Sequence, residues 1–258
     1  MAFIASAFQH YTLTLFLNRP DKANAFNREM ILELQNALNK AEQNDEVRCI
    51  LITGTGNSFS AGQDISEMAN VRATEISYHE HLRETYNPLI LKIRQIEKPV
   101  IAVINGTVAG AGLGIALACD LRIAEENARF TVGFTGIGLV PDSGVSLLLP
   151  ALIGLARATE ATFSNLPISA EDALAWGMVN RLVPAEDLAQ TAQQIAMMLA
   201  LGPVKTYGAT KKAFNRAVLP NLEKVLEYEG ELQEIAGKSE EHKIGVKAFL
   251  KKERPDFL

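Results

Sequence analysis

Hydrophobic and polar positions along this chain fall into two textures, which meet at about residue 183. Before that point, the runs YTLTLFLN, RCILIT, PVIAVI, DLRIA and MVNRLV are rich in β-branched residues, are bounded by Gly, Asn or Pro, and predict strands. Helical spacing lies between them. Met30, Ile31, Leu34, Ala37, Leu38 and Ala41 recur three and four apart after Asn27, which is placed to cap that helix. A second helical span is predicted from about Glu80 to Ile96, ending before Lys98-Pro99 because proline disfavours helix in its predecessor, and a third begins near Ala111. Ser169 with Asp172 resembles a capping box, and Gly177 closes that helix before MVNRLV. From Pro184 onward the pattern is almost entirely helical. Strands alternating with helices define an α/β layer architecture, and the absence of a low-complexity linker favours one compact unit with a helical tail over two free domains.

Composition narrows the function. With 258 residues, 48% hydrophobic and 21% charged, the chain can bury a large core, and neither disorder nor a fibrous repeat fits. The net charge of −5 argues against broad attraction to nucleic acid and towards a small-molecule ligand. Apolar runs are interrupted before the roughly 18 to 20 residues a membrane helix needs, and the N-terminus lacks the features of a secretory signal, so a cytoplasmic location without membrane attachment is expected. Cys49 and Cys119 each lie in an apolar run and are expected to be reduced core residues.

Several familiar motifs fail on spacing. Gly110, Gly112 and Ile115 miss the last glycine of a dinucleotide-binding turn, and ITGTGNSF fails at Phe59; neither region has the G-K-[ST] of a phosphate-binding loop. His79 and His81 are two apart on a predicted helix and do not share a face, so metal chelation by the pair is set aside in favour of a solvated face or a pocket wall. No G-x-S-x-G elbow is present.

Two glycine turns and one carboxylate stand out instead. FSAGQDI at 59–65 and GAGLG at 110–114 both follow apolar strands; either is explained by close packing alone, or by N–H groups aimed at a developing negative charge. Spacing does not decide whether the two converge. In the 27 residues from 130 to 156 the only charged side chain is Asp142. P-D-S-G is good turn chemistry, so on the residues alone Asp142 reads first as a turn or cap residue, the commoner use of such an aspartate, and second as an isolated base.

The ordered set LNRPDKANAFN, FSAGQDI, KPVIAVINGTVAGAGLGIALACDLRIA and ARFTVGFTGIGLVPDSG resembles the enoyl-CoA hydratase/isomerase (crotonase) superfamily from about residue 11 to the C-terminal GVKAFLKKERPDF. That resemblance implies a crotonase-like spiral of strand-strand-helix repeats, with residues 1–195 as the acyl-CoA-binding core and 196–258 as a helical region that makes trimers, often paired into hexamers. It implies an acyl-CoA thioester substrate, no cofactor beyond the coenzyme A of that substrate, no metal, and an enolate held by two backbone amides. By position those amides belong to Gln63 and Ala111. Lys22, Ala23, Ala61, Asp64, Ile65, Tyr86, Gly110 and Phe134 follow as substrate-binding positions, and Tyr78, His79, Leu82 and Tyr86 as residues lining or covering the acyl pocket.

The departures from the family pattern carry the most information. Gly114 and Phe134 stand where hydratases of the superfamily carry two glutamates, so plain hydration is rejected. Asp142 stands where isomerase branches carry their acid/base carboxylate, and GLVPDSG with GAGLG most resembles the ring 1,2-epoxyphenylacetyl-CoA isomerases of phenylacetate breakdown. Dehalogenase-type relatives pair such an Asp with a nearby Trp; the only one here is Trp176, which disfavours that branch. An isomerase forming an oxepin-CoA is therefore expected. The alternatives are a double-bond isomerase of enoyl- or dienoyl-CoA chains and a non-catalytic scaffold subunit associated with a hydratase.

Overall fold

A computed structural model of the chain describes residues 2–66 and 77–258. The chain opens with strands β1 (Ile4–Gln9) and β2 (Thr12–Leu17), helix α1 (Arg28–Gln43), and strands β3 (Cys49–Gly54) and β4 (Ser58–Ser60). Helices α2 (Tyr78–Glu84) and α3 (Tyr86–Gln95) lead to β5 (Val100–Ile104), β6 (Thr107–Ala109) and α4 (Ala111–Ala118). Then come β7 (Leu121–Glu125), β8 (Arg129–Thr131), α5 (Val145–Ile153), α6 (Leu155–Ser164), β9 (Ile168–Ser169), α7 (Ala170–Ala175) and β10 (Arg181–Val183). Helices α8 (Leu188–Leu201), α9 (Val204–Val218), α10 (Leu222–Gly237) and α11 (Glu240–Lys251) complete the chain.

Two sheets stack these turns. The larger runs β1-β2-β3-β5-β7-β10 and the smaller β4-β6-β8-β9. Successive turns of the chain lay β3, β5 and β7 side by side in parallel, Ile50 beside Val100 and Ile101 beside Leu121, and lay β4, β6 and β8 side by side in the small sheet. Each turn therefore repeats strand, strand, helix one rung along, at the roughly 4.8 Å spacing of paired strands. This is the α/β spiral that the resemblance implied.

Period-two alternation explains why the central strands read as continuous apolar runs: both faces of the large sheet are covered. Ile50, Ile52, Val100, Ala102 and Ile104 belong to the main core, together with residues of α1, α3 and α4 such as Leu34, Ile93 and Leu117. Cys49, Leu51, Ile101, Val103 and Ile123 point the other way, onto Leu188, Ala192, Ala196 and Ala200 of α8. Those four residues, four apart, form one ridge of the helix. The boundary expected at 195/196 thus falls inside a helix that belongs to the core. The chain leaves the sheet only after Leu201.

Most helices fall where the apolar spacing places them. Asn27 Oδ1 accepts from Met30 N at 3.0 Å, and Ser169 Oγ accepts from Asp172 N at 3.0 Å. The span expected from Glu80 to Ile96 is broken at Thr85, whose carbonyl accepts from Gln35 Nε2 on α1 at 2.5 Å and whose hydroxyl bonds back to the His81 carbonyl. The expected strand MVNRLV shrinks to Arg181–Val183, since Met178 and Val179 are buried by the turn after α7. The cysteines are free thiols turned into different cores, and burial pushes both up to about 12.

Candidate active site

Stacked rungs bring the glycine turns together. The turn after β4, the turn after β6 and the turn after β8 occupy equivalent positions one rung apart. A Cβ on Gly62 would lie 2.9 Å from the Ala109 carbonyl oxygen and 3.4 Å from the Ala111 nitrogen, and one on Gly133 would lie 3.3 Å from the Gly110 nitrogen. Gly62, with φ +90°, is what permits this approach. Around it Ser60 Oγ donates to the Asn24 carbonyl at 2.8 Å and accepts from Gly62 N at 3.1 Å, which sets the following peptide at Gln63. Ala111 is the first residue of α4, and the opening N–H groups of a helix have no acceptor within it. Every residue of α4 is buried, so its N-terminus addresses the site from the core.

The turns open on a cavity of about 800 Å³ with predominantly apolar walls. Ala61, Gln63, Ile65, Tyr86, Gly110, Ala111, Phe134 and Asp142, all expected from the sequence, line it. Tyr78 and Leu82 line it as well. Lys22, Ala23 and Asp64 do not. Asp64 serves the scaffold: it pairs with Arg19 at 2.9 Å and accepts from Ser66 Oγ at 2.5 Å, bonds that outweigh its burial and hold its carboxyl below the usual range. Ala23 accepts from Ala61 N at 2.9 Å, next to a lining residue without lining the cavity itself, and Lys22 is exposed. His79 turns away to pair with Glu227 at 2.7 Å, whereas His81 joins the wall. There His81 Nε2 and the Tyr86 hydroxyl donate to Gln63 Oε1 at 3.3 and 2.7 Å, and burial holds the His81 ring at about 4, hence neutral near pH 7.

Asp142 is buried in the wall with 7% of its surface exposed. Ser143 (φ +55°) and Gly144 (φ +78°) are both left-handed, and the sharp turn they make carries the chain into α5. The cap reading of Asp142 does not survive: α5 has no side-chain cap from it, and the carboxylate instead accepts from Ser143 Oγ at 2.7 Å and from Gln233 Nε2 at 2.6 Å. Burial pushes its pKa up to about 6 against the lowering effect of those two bonds. It is ionised near neutral pH, yet a stronger base than an exposed aspartate.

The Gly114 position is closed to a larger residue. A Cβ there would lie 2.5 Å from the Ser143 carbonyl oxygen and 2.8 Å from Ser143 Cβ, so the turn that presents Asp142 fills the space a glutamate at 114 would need. Phe134 supplies an apolar wall at the other expected glutamate position.

The far wall comes from helices whose site role the sequence reading did not anticipate. Gln233 and Gly237 of α10, and His242, Lys243, Val246 and Lys247 of α11, line the cavity. Tyr78 joins α2 to α11 by a 2.8 Å bond to His242 Nε2, and His242 Nδ1 donates to the Ile137 carbonyl at 2.7 Å. A signal for α10 was present: Leu222, Leu226, Glu229, Gln233 and Gly237 recur at spacings of three and four, which puts two polar side chains on the buried face. Trp176, by contrast, lies under Arg157 at 5.2 Å and is not a lining residue.

Two closely packed glycine turns and a buried carboxylate thus meet in one apolar cavity. The chain belongs to the enoyl-CoA hydratase/isomerase family, whose sequence profile matches residues 9–258. It is similar to the 1,2-epoxyphenylacetyl-CoA isomerase of Escherichia coli (strain K12), at 41% identity over 100% of this chain and 98% of that one. It is also similar to a probable enoyl-CoA hydratase of Rhodobacter capsulatus, at 39% identity over 93% of this chain and 92% of the other. Among solved structures, an enoyl-CoA hydratase from Mycobacterium avium subsp. paratuberculosis K-10 superposes with a TM-score of 0.90 at 33% identity, covering 100% and 99% of the two chains. Membership makes the chain an enzyme of acyl-CoA chemistry; its relatives include both isomerases and hydratases.

Proposed function

We propose that this protein is an acyl-CoA isomerase in which Asp142 takes a proton from one carbon of the acyl group and returns it to another. The observation that carries this reading is the filling of the Gly114 position by Ser143, which leaves Asp142 as the carboxylate among the described lining residues. The thioester oxygen sits between the Gln63 and Ala111 amides, where negative charge develops as the adjacent carbon loses its proton; one such donor is worth roughly 2.7–4 kcal/mol of barrier. Asp142 then carries the proton and gives it back without net change of composition.

Similarity to the E. coli enzyme supports 2-(1,2-epoxy-1,2-dihydrophenyl)acetyl-CoA as substrate, with the proton shift assisting rearrangement of the epoxide to the oxepin-CoA. The apolar wall of Phe134, Leu139, Ile137 and Leu82 suits a ring. Self-association as trimers or hexamers accompanies this reading, supported by exposed apolar side chains such as Phe163 at 78% and Phe214 at 63%.

Incubation in deuterated water with the epoxide, 3-enoyl, 2-enoyl and dienoyl CoA esters, followed by mass and absorbance, tests the reaction class. Product of unchanged composition apart from exchanged hydrogen, formed fastest from the epoxide, is expected. A clear excess of product heavier by one water would overturn the assignment.

A further inference from the structure

We propose that Glu229 and Gln233, one turn apart on α10, are positioning residues that together hold Asp142 in place and set its proton affinity. This rests on Asp142 being the acid/base group, and adds two residues from an element outside the spiral repeats.

The geometry is a clamp on both ends of one turn. Gln233 Oε1 accepts from Val140 N at 3.1 Å, while its Nε2 donates to the Val140 carbonyl at 3.0 Å and to Asp142 Oδ2 at 2.6 Å. The Val140 N–H fixes which way the amide faces, so the donor end is the one turned to Asp142. Glu229 holds the other end: its carboxylate accepts from Gly144 N at 2.9 Å, from Ser146 N at 3.1 Å and from the Ser146 hydroxyl. These are the orphan donors at the start of α5, where an anion is also favoured by the helix dipole. Between the clamped ends stand Asp142 and the left-handed Ser143.

The electrostatics of the two partners oppose each other. Gln233 donates to the ionised form of Asp142 and favours it; Glu229 is a second carboxylate, 3% exposed, that repels it. Burial, and then the Asp142 charge, push Glu229 up to about 7 against its hydrogen bonds from Ser146 and Gly144. The pair therefore titrates in coupled steps rather than as two independent groups. Other titratable groups face the same cavity: Tyr78, His81, Tyr86, His242, Lys243 and Lys247. His79 on α2 packs onto Gly230 of α10 and is paired with Glu227. The described hydrogen bonds to the two carboxylates come from Ser143, Gln233, Gly144 and Ser146.

The test is the acid limb of the pH profile of kcat/KM for isomerisation, measured for the wild type, Glu229→Gln, Gln233→Met and Asp142→Asn. Loss of the second carboxylate in Glu229→Gln is expected to collapse a wild-type limb spread over two steps into a single titration at the lower of the two positions. Loss of the donor in Gln233→Met is expected to move the limb the other way. KM stays within about threefold in Glu229→Gln, whose carboxylate is turned to the start of α5 and does not line the cavity. A merely structural role lowers kcat or the melting temperature without moving the limbs in opposite directions. A limb that stays at the wild-type position in either folded variant overturns the proposal, and if one variant does not fold the other decides alone. Asp142→Asn separates the two levels: full turnover there breaks the functional reading, whereas an inactive Asp142→Asn with unshifted limbs breaks only this inference.

Discussion

At the scale of the residue, Asp142 is maintained at a cost. Its carboxyl lies at about 6 in the folded chain against 3.8 for an ordinary aspartate, so the folded state retains a proton that the unfolded chain has already lost between those values. Stability therefore falls as pH rises through that window and stays lowered above it, by an amount on the order of 3 kcal/mol for a shift of this size. Asp142→Asn keeps the shape and removes the buried charge. It is expected to be more stable than the wild type by about 1–3 kcal/mol at pH 8, with the gain vanishing below pH 4. Calorimetric melting at the two pH values checks this; a variant destabilised equally at both would show that the carboxylate is structural. The same trade appears at Ser143, where a left-handed non-glycine residue is kept in the turn that aims the carboxylate.

At the scale of the element, the site depends on how tightly three turns and α5 nest. Gly114→Glu is expected to fail as a route to hydratase activity. Its side chain meets the Ser143 backbone, so the substitution costs about 1–3 kcal/mol, displaces Asp142 and lowers isomerisation without producing a hydration product. Gly62→Ala is expected to do similar harm through its positive φ and the 2.9 Å approach to the Ala109 carbonyl, pushing apart the two amide turns. The long strands, with their β-branched runs, and the capped helices were legible in the sequence because periodicity over five or more residues is a strong signal. Strands β4, β6 and β8 were not: at three residues each they show no period, and only stacking against their neighbours makes them strands. Asp142 was visible as an isolated charge, and its alternative role as a cap was closed by the structure, which gives the N-terminus of α5 to Glu229 instead. Glu229 and Gln233 escaped because a helix reading PNLEKVLEYEGELQEIA looks solvated until its apolar stripe is traced through them.

At the scale of the whole molecule, the spiral places two amide turns on adjacent rungs, and the C-terminal helices return to close the cavity they open onto. Among the described residues no helix is long and apolar enough to cross a membrane. The exposed apolar side chains of α6, α8 and α9, including Phe163, Met198, Leu201 and Phe214, are expected to be covered by copies of the same chain. Sedimentation equilibrium at micromolar concentration is expected to give a multiple of three times the 28.1 kDa chain; a monomer there would contradict the oligomer. Lys243 and Lys247 place positive charge at the cavity of a chain whose net charge is −5. Replacing both with alanine is expected to raise KM for a CoA ester several-fold and flatten its dependence on salt, which steady-state kinetics at two ionic strengths would show. The central claim, that one buried carboxylate shuttles the proton, is tested most directly by single-turnover isomerisation of the epoxide CoA ester by Asp142→Asn. A rate reduced roughly 100- to 10,000-fold, with ester binding retained, is the expected result. Turnover at the wild-type rate would contradict it.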